Sequence, residues 1–185
     1  MKLFILIFLG ILNMTEAKEK EKIEEALLAG GCFWGMQELF RSQPGVVRSE
    51  VGYTGGSTLN VQYKDVKTGT TGHAEAVRVV FDTKITNFEN ILLYFFKIHD
   101  PTTLNRQGND VGTQYRSEIF YFNEEQKAIA KKVIERVDRS KKWNGPVVTK
   151  ITKASLFYKG EEEHQAYLQK HPGGYTCHFP RKIEF

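Results

Sequence analysis

The sequence predicts an α+β domain in which helices pack on one mixed β-sheet, and its composition and its order of strand and helix patterns support this class. The 185 residues are 41% hydrophobic and 26% charged, which suits one soluble globular domain and excludes a disordered or multi-pass membrane chain. Strand and helix patterns are intermixed in the order β-α-β-β-α-loop-β-α-β-α. The two cysteines, Cys32 and Cys177, are too few for a disulfide-rich scaffold or a four-thiolate zinc site. The net charge of +4 is too small to indicate a nucleic-acid partner.

Residues 1–17 have the pattern of a secretory signal peptide. Lys2 precedes an apolar run, and Ala17 ends a small-residue exit segment. The run is shorter than the roughly 18 apolar residues that a membrane-spanning helix needs, although an uncleaved anchor is an open alternative. We therefore expect a mature domain at residues 18–185, secreted or periplasmic, in an oxidising compartment.

The first half of the chain is expected to contain three strands and one helix. Residues 26–31 are a short apolar run that ends in glycines, as in a buried strand that enters a turn. Residues 33–42 place their large apolar side chains on one helical face, and Pro44 ends this segment. Residues 46–53 and 74–81 are rich in β-branched and aromatic residues and are predicted as strands.

The second half alternates helices and strands around one long loop. The predicted elements are a helix at 87–98 capped by Asn87, a loop at 99–116, a strand at 117–122, a helix at 123–140 capped by Asn123, a strand at 147–154, a helix at 161–170 and an irregular tail from 171. The loop has 18 residues and no periodicity. Because such loops are uncommon in compact domains and are usually functional, we expect functional residues in it.

Cys32 lies where a strand exit, two glycines and a helix start coincide. The first amides of a helix carry partial positive charge, so a thiol there is expected to have a lowered pKa and to form a reactive thiolate. Gly30 and Gly31 would let a substrate approach the backbone, and Phe33 and Trp34 add two aromatic rings. The open alternative is a small buried cysteine among core aromatics.

Four polar residues are candidates to assist Cys32. Glu75 lies in a strand with largely apolar faces, where burial would raise its pKa and leave it able to donate a proton near neutral pH. Tyr53 and Tyr115 lie at strand ends next to loops, where each could present a phenol donor. Asp110 lies in the long loop. The alternatives are an edge carboxylate for Glu75 and ordinary half-buried tyrosines.

The sequence contains no motif for a metal or a nucleotide. The five histidines have no zinc-ligand spacing such as HExxH, and the chain lacks CxxC. The histidines are His73, His99, His164, His171 and His178. The glycines match neither the phosphate-binding loop nor the dinucleotide-binding fingerprint. We therefore expect no metal and no bound cofactor.

Five motifs in order resemble those of peptide methionine sulfoxide reductase of the A type. They are Gly31-Cys32-Phe33-Trp34-Gly35, Gly52-Tyr53-Thr54-Gly55-Gly56, Gly72-His73-Ala74-Glu75-Ala76-Val77, His99-Asp100-Pro101 with Arg106-Gln107-Gly108-Asn109-Asp110, and Gly112-Thr113-Gln114-Tyr115-Arg116-Ser117. The match covers about residues 26–176. It implies an α+β two-layer sandwich with a ferredoxin-like core, long irregular loops and a C-terminal tail. It also implies reduction of the S epimer of methionine sulfoxide, free or in proteins.

The resemblance also implies roles for individual residues. Cys32 resembles the nucleophile and Glu75 the acid of the family. The polar groups around the sulfoxide oxygen would be Tyr53, Tyr115 and Asp110, and the walls that receive the ε-methyl group would be Phe33 and Trp34. Such donors are needed because a sulfoxide oxygen is a poor leaving group until it is protonated.

Cys177 resembles the second thiol that resolves a sulfenic acid on Cys32 into a disulfide. The chain departs from family members that place this cysteine directly after Gly-Tyr, because Thr176 intervenes. A thioredoxin-like reductant would then attack the Cys32–Cys177 bond itself, since the chain has no third cysteine. The expected partners are oxidised proteins or free methionine sulfoxide and this reductant, and we expect a monomer.

Two other classes of protein stay open at this point. One is a cysteine hydrolase in which His73 or His99 activates Cys32, and it would need a histidine for activity. The other is a secreted binding module with a structural Cys32–Cys177 disulfide, which would show no turnover.

Overall fold

The structure is a computed structural model that describes residues 22–185. The signal segment predicted at residues 1–17 lies outside the described residues and stays a prediction. The described strands are β1 (Ile23–Gly30), β2 (Val46–Thr54), β3 (Ala74–Asp82), β4 (Arg106–Gln107), β5 (Asp110–Val111), β6 (Ser117–Tyr121), β7 (Lys150–Lys153) and β8 (Tyr158–Lys159). The helices are α1 (Phe33–Arg41), α2 (Tyr63–Val66), α3 (Phe88–Ile98), α4 (Glu124–Ser140) and α5 (Tyr167–Lys170), with a 3₁₀ turn at Thr113–Tyr115.

Six strands form one mixed sheet in the spatial order β7-β6-β1-β3-β2-β8, and β4 and β5 form a separate hairpin. Strand β1 is antiparallel to both β3 and β6, whereas β6 and β7 are parallel. The mixed sheet with packed helices confirms the predicted α+β class.

The main core lies between the sheet and helices α1, α3 and α4. In β3 the side chains alternate in facing, so Val77, Val79 and Phe81 belong to this core while Ala74 and Ala76 belong to a smaller cluster on the opposite face. Glu75 therefore shares the helix-covered face with Val77, as its position in the strand predicts.

Both predicted N-caps are confirmed. Asn87 accepts a hydrogen bond from the Asn90 amide at 2.9 Å, and Asn123 accepts one from the Gln126 amide at 2.8 Å. Each bond satisfies an amide that the first helical turn leaves without a partner. Helices α3 and α4 thus begin where the sequence predicts.

The helix predicted at residues 161–170 is wrong for most of its length, because only α5 (Tyr167–Lys170) is helical. Gln165 instead uses its side chain as a partner for strand β2, accepting from the Val51 amide at 3.0 Å and donating to the Val51 carbonyl at 2.9 Å. Ala166 then adopts a left-handed backbone with φ of 52°. These tertiary bonds outweigh the local helical preference of a charged segment.

Candidate active site

A pocket of about 140 Å³ opens where strand β3 passes the N-terminal end of helix α1. Its lining residues are Cys32, Phe33, Trp34, Tyr63, Glu75, Asp110, Tyr115 and Tyr175. Six of these eight are predicted site residues, although they are scattered over 84 positions from Cys32 to Tyr115. The fold therefore brings most of the predicted chemistry into one cavity.

The turn that presents Cys32 depends on glycine and on the long loop. Gly31 has φ of +109°, and a side chain there would collide with Gln107. Gln107 Nε2 donates to the Gly30 carbonyl at 3.1 Å, and Gln107 Oε1 accepts from the Asp100 amide at 3.2 Å. The long loop, which is predicted to be functional, thus holds the end of strand β1 just before Cys32 in place.

The pKa of the Cys32 thiol is raised in this structure, contrary to the lowering predicted from its position before a helix. Burial is the largest cause, because the residue is only 6% exposed, and the charge of Glu75 adds to it. Hydrogen bonding with the Trp34 backbone acts in the opposite direction, as helix amides do. Desolvation therefore outweighs the helix terminus, and the resting residue is a thiol.

Glu75 is a buried acid beside that thiol. It is 2% exposed, and its Oε2 accepts a hydrogen bond from the Phe33 amide at 3.1 Å. Burial, with a smaller contribution from the charge of Asp110, raises the pKa of Glu75 to about 8 despite this bond. The predicted rise in the pKa of Glu75 therefore has its expected cause.

The structure places Tyr115 and Asp110 at the pocket but not Tyr53. Tyr53 is opposite Glu75 in the sheet register, but its ring packs 5.8 Å from the Phe33 ring and its hydroxyl donates to Glu161 at 2.7 Å. It is fully buried behind the wall of the pocket. The prediction of Tyr53 as a donor to the sulfoxide oxygen is therefore corrected.

Tyr63 lines the pocket with Tyr115, and the sequence reasoning missed it. It begins the four-residue helix α2, which is preceded by Gln62, whose amide donates to Asp65 at 3.0 Å. This capping pattern in the sequence was the available signal for an ordered turn. Burial is the largest cause of raised pKa values for Tyr63 and Tyr115, so both phenols stay protonated donors.

The C-terminal tail brings Cys177 to the same place. A Cβ added to Gly108 would lie 3.3 Å from Cys177 Cβ, and Tyr175 donates to Asp110 Oδ1 at 3.1 Å. Burial and then Asp110 raise the pKa of Cys177 to about 12, while hydrogen bonding with the Cys32 backbone lowers it. Both cysteines are free thiols.

Neither histidine of the hydrolase alternative lines the pocket. His73 Nε2 bonds to the Thr58 carbonyl at 2.8 Å, and His99 lies between the Phe95 carbonyl and the Ser117 hydroxyl at 2.7 and 2.8 Å. Both ring nitrogens of His99 are thereby occupied in a buried, structural role.

Between residues 22 and 185, no helix is long and apolar enough to cross a membrane. Over the same residues, no group of histidine, cysteine and acidic side chains could hold a metal ion.

Comparisons with known proteins agree with the geometry of this thiol–acid pocket. The family model described as peptide methionine sulfoxide reductase matches residues 24–184. The peptide methionine sulfoxide reductase MsrA of Mycolicibacterium gilvum is 56% identical over 158 residues, which cover 85% of this chain and 91% of that protein.

Two solved structures of yeast Mxr1 share the fold. The reduced form from Saccharomyces cerevisiae has a TM-score of 0.81 and 37% identity, over 86% of this chain and 93% of that one. The structure in complex with Trx2 has a TM-score of 0.59 and 24% identity, over 92% of this chain and 97% of that one.

The chain belongs to the peptide methionine sulfoxide reductase family, of the A type. It is an oxidoreductase that reduces methionine sulfoxide.

Proposed function

We propose that the protein reduces the S epimer of methionine sulfoxide, free or in proteins, through a sulfenic acid on Cys32. The observation that carries this proposal is the pairing of the Cys32 thiol with Glu75, an acid whose pKa of about 8 leaves it mostly protonated at pH 7. A nucleophile and a proton donor at one small pocket are what sulfoxide reduction requires.

The first step transfers oxygen from the substrate to Cys32. The Cys32 thiol loses its proton, and its sulfur attacks the sulfoxide sulfur to form an S–S bond while Glu75 protonates the oxygen. The hydroxyl group then moves from the methionine sulfur to the Cys32 sulfur, so the methionine S–O bond and the S–S bond break, a Cys32 S–O bond forms and methionine leaves. Oxygen ends on Cys32 as a sulfenic acid, and the proton released by the thiol replaces the one that Glu75 gave. Methionine sulfur is reduced by two electrons and Cys32 is oxidised by two. Because the Phe33 amide holds Oε2 of Glu75, Oε1 is the oxygen available to carry the proton.

Tyr63 and Tyr115 are the proposed donors to the sulfoxide oxygen, in place of Tyr53. Protonated phenols at the pocket stabilise the negative charge that develops on this oxygen as the thiolate attacks. The rings of Phe33 and Trp34 are the proposed apolar walls for the ε-methyl group. Their centroids are 6.4 Å apart, with the ring planes tilted by 39°.

The second step forms a disulfide. The Cys177 thiol attacks the Cys32 sulfenic acid, water leaves with the sulfenic oxygen, and a Cys32–Cys177 bond forms. Hydrogen bonding of Cys177 with the Cys32 backbone supports this step, because it places the tail thiol next to the residue that it attacks. We propose a thioredoxin-like protein as the reductant. Yeast Mxr1, 37% identical to this chain, has been crystallised in complex with Trx2.

The test uses the two separated epimers of a methionine sulfoxide peptide with dithiothreitol, and methionine is measured. Only the S epimer should be consumed, and Cys32→Ser should form no methionine. Wild-type activity in Cys32→Ser would refute the nucleophile, and equal consumption of both epimers would refute the stereochemistry. His99→Asn is the control for the hydrolase alternative, which requires a histidine that the reductase does not.

A further inference from the structure

Two side chains outside the reacting pocket hold its aromatic walls in place. Glu161 and His164 lie between strand β8 and helix α5, and neither is among the residues that line the pocket. They are about 100 to 130 positions away in sequence from the wall residues that they contact. Their contacts converge on Trp34 and Tyr63, which form two sides of the pocket.

Glu161 joins Tyr63 to the sheet. Its Oε1 accepts the Tyr63 backbone amide at 2.7 Å, and its Oε2 accepts the Tyr53 hydroxyl at 2.7 Å. Tyr53 is fixed in the buried sheet, so one carboxylate ties a short surface helix to a rigid strand. Bonds of this length to an ionised acceptor are among the stronger hydrogen bonds in proteins.

His164 fixes Trp34 and packs against Tyr63. The Trp34 indole N–H donates to His164 Nδ1 at 3.2 Å, so Nδ1 is unprotonated and the proton is on Nε2. Nε2 faces Glu161 Oε2 at 4.0 Å, and the His164 ring lies 4.4 Å from the Tyr63 ring. On its other side, the Trp34 ring stacks on Tyr167 at 3.8 Å. Trp34 is therefore held both by a directional bond and by a stacked ring.

We propose that Glu161 and His164 are positioning residues that set the width of the methyl pocket and thereby exclude larger S-alkyl sulfoxides. This inference rests on the proposed function, because it assumes that Phe33 and Trp34 receive the methyl group. A rigid apolar pocket discriminates against one extra methylene by roughly 10- to 200-fold. An indole without its acceptor can rotate, which admits the larger group.

The test compares methionine sulfoxide with ethionine sulfoxide, the S-ethyl homologue, in the presence of dithiothreitol. His164→Leu removes the acceptor and should lower the ratio of the two kcat/KM values by about tenfold, since one methylene is the difference to be recognised. His164→Asn retains an acceptor at the Nδ1 position and should keep the ratio within about twofold of wild type. The ratio should fall mainly because kcat/KM for ethionine sulfoxide rises. General destabilisation of the protein cannot produce such a rise.

A second readout reports the indole directly. In a Trp143→Phe background Trp34 is the remaining tryptophan, and its emission should shift to the red in His164→Leu but not in His164→Asn. Glu161→Ala removes the carboxylate that faces His164 Nε2 and the anchor of the Tyr63 ring that packs on His164, so the acceptor of the indole is no longer fixed. This variant should lower the same ratio if His164→Leu does not fold. Glu162→Gln is the matched control, because its side chain is 79% exposed and makes only surface ion pairs.

Two results would overturn the inference. One is an unchanged ratio with unchanged emission in folded His164→Leu and Glu161→Ala. The other is an equal loss for both substrates, which would mean that the two residues only stabilise the fold. Failure of the proposed function would look different, since the wild-type protein itself would then form no methionine from either sulfoxide.

Discussion

The two sides of the pocket are built in different ways. On one side, Phe33 and Glu75 belong to helix α1 and the central strand β3, and they are 1% and 2% exposed. On the other side, Tyr175 and Cys177 belong to a tail without a helix or strand from residue 175 onward, and Tyr175 is 44% exposed. The tail is held by individual bonds, such as those from Tyr175 to Asp110 and from His178 Nδ1 to the Ile98 carbonyl at 3.0 Å.

This difference matches the demands of the two chemical steps. Oxygen transfer needs an acid and a nucleophile held in a fixed geometry, which a buried sheet and helix provide. Disulfide formation and its reduction need Cys177 to approach Cys32 and then to become accessible to another protein. Residues 175–177 precede the more firmly anchored end of the tail, and a segment held by few contacts opens at a smaller free-energy cost than a buried strand. We therefore expect substitutions on the two sides to affect different steps.

Cys177→Ser is expected to show the largest difference between its effects on the two chemical steps. Methionine formation without reductant should still reach about one equivalent per enzyme, because the sulfenic acid forms before Cys177 is used. Turnover with thioredoxin should be lost, whereas turnover with dithiothreitol should persist. The measurement is a methionine time course with each donor, and normal thioredoxin-coupled turnover would discard the resolving role.

On the buried side, Glu75→Gln should slow the first methionine equivalent by roughly 10²- to 10⁴-fold, as expected for loss of a general acid. The wild-type rate should fall as pH rises through about 8, where Glu75 loses its proton. The variant should lack this alkaline limb. Rapid-quench assays between pH 6 and 10 measure both effects, and a shared alkaline limb would assign it to another group.

The same substitution should change stability in a pH-dependent way. The pKa of Glu75 is raised on folding, so the native state binds more protons than the unfolded state between about pH 4.5 and 8, and wild-type stability falls across that interval. Relative to wild type, the free energy of unfolding of Glu75→Gln should therefore be a few kcal/mol higher at pH 8 than at pH 5, since each pKa unit corresponds to about 1.4 kcal/mol. Urea unfolding at pH 5 and pH 8 tests this, and an equal difference at both values would contradict it.

A smaller effect is expected where the tail docks on helix α1. A side chain on Gly35 would collide with Thr176 and would lie 2.9 Å from the His178 ring, so Gly35→Ala should displace the tail. Overpacking of about 1 kcal/mol lowers the equilibrium constant for docking of the tail roughly fivefold, and disulfide formation should slow by up to that factor.

Gly145→Ala serves as the control for this variant, because its added Cβ would meet Thr102 at an ordinary 3.4 Å. Thiol loss and methionine formation are followed in parallel in both variants. A matching fall in methionine formation in Gly35→Ala would show that the two sides are not separable.

The sequence predicted the buried side of the site better than its supports. Phe33 and Glu75 belong to regular elements whose local patterns report facing and burial, and Cys32 is the N-cap of helix α1. Tyr53 was misassigned because it is directly opposite Glu75 in register, and only side-chain packing sends its hydroxyl to Glu161. A contact between residues so far apart in the chain leaves no pattern in the local sequence.

The long-range supports could not be predicted for the same reason. Tyr63, Tyr175 and the Glu161–His164 pair reach the pocket through contacts that span about 65 to 130 positions. The lowered pKa predicted for Cys32 was wrong because the helix terminus was considered without burial, which has the larger effect here. The sequence patterns of helices and strands were sufficient to predict the fold class. The direction of the pKa shift of Cys32 depends on burial in three dimensions and could not be predicted from them.

The most direct test is to identify the bond that a single turnover leaves behind. Reduced wild-type protein is mixed with excess methionine sulfoxide without reductant, alkylated, digested and analysed by mass spectrometry. We predict about one methionine per enzyme, loss of both thiols and a peptide that links Cys32 to Cys177. A persistent sulfenic acid on Cys32 with an alkylated Cys177 would contradict it.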